Sequence, residues 1–261
     1  MSELTPKIRD KWGVLVGTSG WNYDHWKSSF YSGVKRKDWL RHYAEQFNAV
    51  EVNATFYRLQ KKQTFERWYD ETPPDFRFSL KGNRFLTHNK KLNDPLQSVA
   101  RERESAIGLR EKLAVVVWQL PGTFTKHIDR LQKFVEALKQ WDDARHTIEF
   151  RNSSWFDDEV AACLNEHEVA NCRSDAADWP MWDEVTTDLV YLRLHGHTRT
   201  YSSSYSSSAL IGLSSEIRKW RQEKRTVHVY FDNDAAGAAP KDAKRLTRIL
   251  HQTGRDCFLC P

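Results

Sequence analysis

The residues best suited to chemistry stand at every second position of a short segment in the middle of the chain. In Thr147–Arg151, Glu149 and Arg151 alternate with Ile148 and Phe150. The side chains of a β-strand point alternately to its two faces, so the carboxylate and the guanidinium share one face. Charged groups inside a protein are unfavourable unless they pair or bind something. The pair therefore indicates a proton-transferring or anion-binding site, or else an inert ion pair within the fold.

Other segments place polar side chains at the end of an apolar run in the same way. Arg193 and His195 share one strand face, which suits an oxyanion clamp and an acid–base group, or two satisfied core groups. Glu51 and Asn53 suit the hydroxyl groups of a sugar, although a lone glutamate at a strand end is often simply paired. Lys81 favours a functional interpretation, because an ammonium group is a poor core filler.

The elements that must position these residues alternate regularly along the chain. Eight predicted strands, the first at Val14–Ser19 and the last at Val227–Phe231, are separated by mostly helical segments. The connection containing Trp179–Trp182 is not helical in pattern, and Ser202–Ser208 is predicted to be a flexible lid or surface loop. Eight such units in 261 residues predict an α/β protein with a single (β/α)₈ barrel of the TIM type over residues 1–261. An open doubly wound sheet is the alternative.

In such a barrel the active site lies at the C-terminal mouth, where the strands end. We therefore predict that the polar residues at the strand ends form one cluster there: Ser19, Glu51, Asn53, Lys81, Gln119, Glu149, Arg151, Asp175, Arg193, His195, Asp232 and Asn233. Five loop residues are expected to wall it: Trp21, Tyr57, His88, Trp155 and Tyr205. Core packing of the tryptophans, a plain surface histidine and a mobile loop around Tyr205 are the competing interpretations.

The residue types at the mouth also bear on metal binding. Five of them have side chains that ligate divalent ions: Glu51, Glu149, Asp175, His195 and Asp232. Lys81, Arg151 and Arg193, with Arg173 as a further candidate, would repel a metal ion from the same cavity. We therefore predict a neutralised pocket for a polar, anionic ligand and no resident cofactor, with a divalent metal as the less favoured alternative. The chain contains no Walker loop, no G-x-S-x-G elbow and no H-E-x-x-H motif.

Composition excludes several classes of protein. A hydrophobic fraction of 39% with 13% aromatic residues is enough for a large core, so global disorder is excluded. The net charge of +5 is compatible with an anionic ligand but too small to indicate nucleic-acid binding by itself. No run is long and apolar enough for a membrane span or a signal peptide, so we expect a cytoplasmic protein without a membrane partner. Cys257 and Cys260 are expected to be reduced structural thiols.

Several motifs closely resemble those of the YecE-like proteins, the family called domain of unknown function 72. They run in family order over nearly the whole chain: Gly17–Trp21, Val50–Asn53, Thr55–Tyr57, Phe78–Lys81, Thr87–His88, Gln119–Pro121, Glu149–Arg151, Ser154–Trp155, Arg193–Gly196 and Phe231–Asn233. The resemblance implies a TIM-type barrel, similar in outline to xylose-isomerase-like and apurinic-endonuclease-like barrels, and supplies no activity. The chain departs from the family at Asp232, where Asn is common, and at Ser32, where Pro is common.

Three functional hypotheses follow. The first is an enzyme acting on a sugar or on a phosphorylated or carboxylated metabolite, with Glu149 and His195 transferring protons and Lys81, Arg151 and Arg193 binding the anionic group. In this hypothesis Glu51, Asn53 and Gln119 orient hydroxyl groups. The second is a nucleic-acid-processing barrel, whose affinity would fall steeply with salt. The third is a ligand-binding module without catalysis. The sequence carries no indication of oligomeric state.

Overall fold

Eight parallel β-strands form the centre of the molecule. The computed structural model describes residues 13–235 and 237–252. The strands are β1 (Val14–Thr18), β2 (Ala49–Val52), β3 (Arg77–Lys81), β4 (Leu113–Gln119), β5 (Arg145–Glu149), β6 (Ala170–Ala176), β7 (Leu189–Gly196) and β8 (Thr226–Phe231). They pair in the order β1-β8-β7-β6-β5-β4-β3-β2, and every pair is parallel. The predicted TIM-like α/β barrel is confirmed.

The barrel closes where β1 approaches β2. A parallel bridge joins Ser19 to Glu51, and the Gly20 amide donates a hydrogen bond of 2.7 Å to the Glu51 carbonyl oxygen. Gly17 permits this approach, because a Cβ atom at that position would lie 2.0 Å from the carbonyl oxygen of Ala49. The closure therefore lies at the C-terminal end of both strands, beside the predicted mouth.

Helices cover the outside of the barrel. They are α1 (Trp39–Gln46), α2 (Ala54–Tyr57), α3 (Lys62–Asp70), α4 (Pro95–Ala106), α5 (Ile128–Leu138), α6 (Asp158–Glu166), α7 (Ser207–Gln222) and α8 (Ala239–Gln252). Residues 177–188, all of them described, connect β6 to β7 without a helix. The predicted irregular connection is thus confirmed. Of the predicted loop Ser202–Ser208, residues 202–206 do form a loop, whereas α7 already begins at Ser207 and is capped by Ser206, which accepts a hydrogen bond from the Ala209 amide.

The barrel interior changes from apolar to polar along the strands. Its apolar part is one buried cluster of alternate strand residues: Leu15, Ala49, Val115, Val117, Ala170, Cys172, Leu189, Tyr191 and Tyr230. On β4 the next inward residue is Gln119, and on β7 the next two are Arg193 and His195. The other strand faces join the larger core beneath the helices, as Val116 and Trp118 of β4 do. Every second residue of a strand faces the interior, so the polar residues that follow the apolar ones lie at the C-terminal end of the interior.

The inward and outward faces of strand β6 are the reverse of those predicted. Small residues, among them Cys172 and Ser174, face the barrel interior. Arg173 points outward, where it pairs with Glu216 of α7, and Asn171 donates to backbone carbonyls of the 177–188 connection. We predict from the sequence that the polar residues of β6 face the interior, but in the structure they lie on the outer face of the strand.

Two further predictions concern membranes and cysteines. Within residues 13–235 and 237–252, the helices fall short of the length and hydropathy needed to cross a bilayer. Cys163 and Cys172 are buried thiols outside any disulfide. Cys257 and Cys260 lie outside the described residues.

Candidate active site

The guanidinium of Arg193 lies at the centre of the mouth and is fully buried. It donates from Nη2 and Nε to Glu51 Oε1 at 2.7 and 3.1 Å, and from Nη1 to Glu149 Oε2 at 2.6 Å. Nη2 also donates to Asp232 Oδ2 at 3.1 Å. One guanidinium thus joins carboxylates from three different strand ends. Such a charge-assisted network compensates for the burial of its members only while it remains complete.

Glu51 is held by neutral donors as well. The Ser19 hydroxyl donates to Oε1, and the Tyr191 hydroxyl donates to Oε2 at 2.7 Å. Burial, followed by the charge of Glu51, raises the pKa of Tyr191 well above its usual value, so the phenol remains a donor. Asn53 connects to the same group by accepting from the Ser19 hydroxyl at 3.1 Å. These contacts fix the orientation of the Glu51 carboxylate.

Glu149 is the second fully buried carboxylate. It accepts from Arg151 Nε at 2.8 Å and from the Ser174 hydroxyl at 3.0 Å, in addition to Arg193. Burial alone would raise its pKa, but Arg151 and Arg193 lower the pKa well below its usual value. A carboxylate held so firmly in its charged form is a weak proton acceptor. The geometry therefore favours a positioning role for Glu149 over the predicted role in proton transfer.

His195 lies beside Arg193 and is also fully buried. Its Nε2 atom is 3.4 Å from Arg193 Nη1 and 3.5 Å from Glu149 Oε1. Its Nδ1 atom lies 3.0 Å from Asp232 Oδ2, without the angular geometry of a hydrogen bond. Because Arg193 can only donate, the contact at Nε2 favours the tautomer with its proton on Nδ1, facing Asp232. The ring is thus set between two carboxylates, as an acid–base histidine requires.

Two aromatic residues wall this side of the mouth. Trp179, from the irregular connection after β6, lies edge-on to His195 with ring centroids 4.9 Å apart, and Tyr201 lies edge-on at 5.5 Å. The guanidinium of Arg151 stands 4.1 Å above the Trp179 ring and donates to the Tyr201 hydroxyl at 3.2 Å. These contacts hold Arg151 over the mouth.

Lys81 occupies the other side of the mouth. Its ammonium group lies 4.3 Å from the centre of the Phe56 ring. Among the described residues, Nζ donates no hydrogen bond and no carboxylate oxygen is within 4.0 Å of it. Burial, reinforced by the charge of Arg193, lowers the pKa of Lys81 to about 8. Lys81 is therefore a buried cation whose nearest described partner is an aromatic ring.

His88 and Gln119 stand next to this lysine. Gln119 Nε2 is 3.4 Å from His88 Nε2, and the Thr87 hydroxyl is 2.9 Å from His88 Nδ1. Burial, then repulsion by Lys81 and by the arginines at positions 84 and 151, lowers the pKa of His88 to about 4. The imidazole is thus neutral at pH 7. A neutral histidine among three cations makes this side of the mouth attractive to an anion.

The opposite side of the mouth is a small, acidic cavity. Its volume is about 270 Å³, and its lining consists of Tyr23, His25, Tyr201, Asp232, Asp234 and Ala235. Asp234 accepts from Trp26 Nε1 at 2.8 Å and pairs with His25 Nε2 at 2.8 Å. Burial raises the pKa of Asp234 to about 6. A cavity of this size has room for part of a small molecule.

The acidic residues do not form a metal site in the part of the chain that the structure describes, where no group of three His, Cys, Asp or Glu side chains is arranged to hold an ion. Glu51, Glu149 and Asp232 converge instead on Arg193. The guanidinium occupies the point at which a cation shared by the three carboxylates would sit.

Most of the predicted residues do converge. The network and its immediate neighbours contain eleven of them: Ser19, Glu51, Asn53, Lys81, His88, Gln119, Glu149, Arg151, Arg193, His195 and Asp232. They come from β1, β2, β3, β4, β5, β7 and β8 and from the loops that follow these strands. Alternation along each strand and the barrel rule for its C-terminal end together account for this grouping.

Three predicted residues lie on the other face of their strands or in the loops that follow. Asp175 pairs with His197, because the register of β6 is reversed. Asn233 donates to Asp242 of α8 at 2.9 Å. The Tyr205 hydroxyl accepts from the Gly196 amide at 3.0 Å. The predicted mouth positions of these residues are wrong, because each side chain ties the wall of the barrel to its surroundings.

For Trp21 and Trp155 the structure agrees with core packing rather than a place in the wall of the mouth, whereas the place of Tyr57 in that wall stays a prediction. Trp21 packs edge-on against Trp68 at 5.0 Å, and buried Trp155 donates from Nε1 to the Phe124 carbonyl oxygen at 2.7 Å. Both are core residues. Tyr57 is 70% exposed, and its neighbour Phe56 is the residue that contacts Lys81.

Sequence reasoning missed several contributors to the mouth: Tyr23, His25, Phe56, Ser174, Trp179, Tyr201, Asp234 and Ala235. Trp179 could have been found, because it lies in a loop that follows a strand and therefore opens on the mouth. Tyr201 stands in the same position after β7. Ser174 had no signal, since its inward orientation depends on the register of β6.

Comparison with known proteins places this geometry in a family. The model of the family described as protein of unknown function DUF72 matches residues 15–260. The chain belongs to the DUF72 family. The motifs that led to this assignment from the sequence include the residues that build the Arg193 network. The DUF72 assignment identifies the barrel and leaves the reaction open.

Relatives of known sequence and structure agree with this assignment. The chain is 24% identical to UPF0759 protein YunF of Bacillus subtilis, over 91% of this chain and 94% of YunF. It is 27% identical to YecE of Escherichia coli K12 over 55% of this chain and 50% of YecE. A crystal structure of a DUF72 family protein from Thermotoga maritima has a TM-score of 0.79 and 27% identity, covering 91% of this chain and 99% of that one. A DUF72 protein from Enterococcus faecalis has the same fold, with a TM-score of 0.80 and 22% identity, covering 91% and 95%.

Proposed function

We propose that this DUF72 protein is an enzyme acting on a small, polar, anionic substrate at the C-terminal mouth of its barrel. The observation that carries the proposal is Lys81, a buried ammonium group without a carboxylate partner among the described residues. A buried charge without a directly bonded partner is unfavourable, so the presence of Lys81 beside Arg151 and neutral His88 supports an anion that binds there.

The two sides of the mouth suggest the shape of the substrate. The anionic group lies against Lys81 and Arg151, while hydroxyl or amino groups extend into the acidic cavity beside Asp232 and Asp234. Gln119 and Asn53 supply amide groups to orient hydroxyls, as expected from the sequence. The cavity volume of about 270 Å³ favours a small metabolite over a nucleic acid.

Proton transfer belongs to His195 and Lys81 in this proposal. His195 is oriented by Asp232 and Glu149, and the lowered pKa of Lys81 brings its amine close to neutral pH. Glu149 and Arg193 keep the two groups in place. The enzyme therefore needs only its own side chains for acid–base chemistry, and we propose no resident cofactor.

Calorimetric titration tests the proposal. The probes are glycolate, ribose 5-phosphate, neutral ribose and a single-stranded DNA oligonucleotide. We expect the two small anions to bind the wild-type protein and the Lys81→Met variant to bind them at least about tenfold more weakly, since an ion pair in a desolvated site contributes more than 1.4 kcal/mol. The matched control is Arg173→Met, which removes a buried cation from the outer face of β6.

Three outcomes would contradict this proposal. Equal affinity of wild type and Lys81→Met for the small anions would remove Lys81 from the site. Oligonucleotide binding that is tighter than that of either small anion and falls steeply with salt would favour the nucleic-acid-processing alternative. Binding without turnover of any small anion would favour a ligand-binding module.

A further inference from the structure

Lys81 is the last residue of β3, so its side chain points into the mouth from a rigid strand end. The residue is only 9% exposed, and its Nζ atom has no hydrogen-bond partner among the described residues. Nζ is nevertheless not one of the polar atoms that are fully inaccessible to solvent. The nitrogen is therefore accessible to solvent rather than sealed in the core. A ligand that contacts Nζ displaces no hydrogen bond between Nζ and a described residue.

The surroundings of Lys81 differ from those of a lysine that only neutralises an anion of the protein. Three carboxylates whose charges act on Lys81, those of Glu51, Glu149 and Asp232, are bound by Arg193. Burial and the charge of Arg193 together lower the pKa of Lys81 by more than these three carboxylates raise it. Desolvation and a neighbouring cation are the two means by which proteins make a lysine amine nucleophilic.

We infer that Lys81 is a nucleophile that forms an imine with the carbonyl group of a small anionic aldehyde or ketone. This inference rests on the proposed function and deepens it, because it names the substrate class. Arg151, held 4.1 Å above Trp179, is the cation that binds the anionic group of the same molecule. The amine supplies the bond to carbon, so the two cations have different roles.

The chemistry balances without an oxidant or a reductant. The lone pair of the neutral amine forms a bond to the carbonyl carbon, and the π pair of the carbonyl moves to oxygen. A proton passes from nitrogen to that oxygen and gives a carbinolamine. A second proton, from an acid of the mouth such as His195, lets the hydroxyl leave as water while the nitrogen lone pair forms the C=N bond. Hydrolysis reverses every step.

The amount of neutral amine supports this role. With its pKa lowered to about 8, Lys81 has about a hundredfold more neutral amine at pH 7 than a lysine with an ordinary pKa. His195, which lies 3.0 Å from Asp232 and 3.5 Å from Glu149, is the proton donor of the mouth in this proposal.

Reductive trapping tests the inference on the full-length protein. The protein is incubated with glyoxylate or with dihydroxyacetone phosphate at pH 7.5, and sodium borohydride reduces any imine to a stable secondary amine. Peptide mass mapping then locates the modified lysines. We expect Lys81 to be modified at least about tenfold faster than the exposed lysines, because it has more neutral amine.

The Lys81→Arg variant is the control, since it keeps the charge and removes the amine. Its thermal unfolding is compared with that of the wild type to show that it folds. We expect this variant to lose the fast modification while it binds glycolate, which has no carbonyl group, within about threefold of the wild type. Glycolate in excess should slow the modification of wild-type Lys81 by competing for Arg151.

The outcomes separate the inference from the proposed function. If both reagents modify only exposed lysines while glycolate binds in a Lys81-dependent manner, the imine is wrong and the anion site stands. If glycolate fails to bind and Lys81 is unmodified, both are wrong. Fast modification that persists on another residue in Lys81→Arg also overturns the inference.

Discussion

The barrel buries two lysine side chains at opposite ends of the same pair of strands. Lys112 precedes β4 at the bottom of the barrel, and its Nζ donates to the carbonyl oxygens of Tyr69 and Thr72 at 2.5 and 2.7 Å. It also donates to the Thr72 hydroxyl at 3.1 Å. Lys81 ends β3 at the mouth and makes none of these contacts. One lysine is satisfied by the end of helix α3, and the other is the lysine that we propose binds a ligand.

The difference between the two lysines indicates which end of the barrel contributes stability and which end we propose carries out chemistry. Lys112 closes the C-terminal end of α3 by satisfying its last carbonyl groups, which helix geometry leaves without partners. Lys81 adds a charge that the protein does not neutralise. This division agrees with the general rule that the N-terminal face of such a barrel contributes stability and the C-terminal face contributes function. The following predictions test that division.

The largest expected effect comes from the residue that keeps Lys81 unpaired. Arg193→Met leaves three carboxylates facing one another, so we expect the free energy of unfolding to fall by about 3 to 5 kcal/mol. The pKa of Lys81 should rise in the same variant, because it loses a like charge and gains carboxylates as neighbours. Urea unfolding checks the stability. Arg173→Met, whose partner carboxylates are largely exposed, should cost only about 1 kcal/mol, and equal losses would contradict the account.

Lys112→Met should have the next largest effect. It leaves two carbonyl oxygens and a hydroxyl without their donor, and we expect a loss of about 2 to 3 kcal/mol in the free energy of unfolding. Small-anion binding and borohydride trapping at Lys81 should be unchanged. Lys139→Met, which removes an exposed lysine of a surface ion pair, serves as the control and should change stability by less than about 0.5 kcal/mol. A stable Lys112→Met variant would mean that the two lysines do not differ.

Lys81→Met should have a smaller effect of the opposite sign. The folded protein lowers the pKa of Lys81, so below pH 8 the charged group is less stable in the folded than in the unfolded state. Removing it should stabilise the protein at pH 7 by about 1 to 3 kcal/mol. The stability of the wild type should then rise between pH 8 and pH 10.5, where only the unfolded chain keeps the proton, and approach that of the variant. Urea unfolding at both pH values checks this, and a destabilised Lys81→Met variant would contradict it.

The sequence predicts which residues lie at the mouth of the barrel, but not why Lys81 lacks a directly bonded partner there. Strand periodicity indicates that Glu51, Glu149 and Arg193 each share a strand face with another polar residue, and the barrel rule predicts that these faces meet at one end. The isolation of Lys81 could not be predicted, since it depends on Arg193 binding all three carboxylates. These contacts join Arg193 to Glu51, which is 142 positions away in the chain, and to Glu149, which is 44 positions away.

The errors have a common physical origin. The periodicity of a strand reveals which residues share a face, but not which face points inward. In β6 the inward residues are small, and polar Arg173 binds α7 on the outside, so the wrong face was chosen and Asp175 with it. Trp155 and Trp21 were misplaced because an aromatic ring near a strand end suits a core and a cavity wall equally well.

The charge state of Lys81 is the most direct test of the account. Carbon NMR of protein labelled with ¹³C-lysine follows the Cε signal of each lysine against pH, and the Lys81→Arg spectrum assigns the signal that belongs to Lys81. The account predicts a midpoint at about pH 8 for Lys81, well below those of the exposed lysines. A midpoint above about pH 10 would be that of an ordinary, stabilised ammonium group and would contradict it.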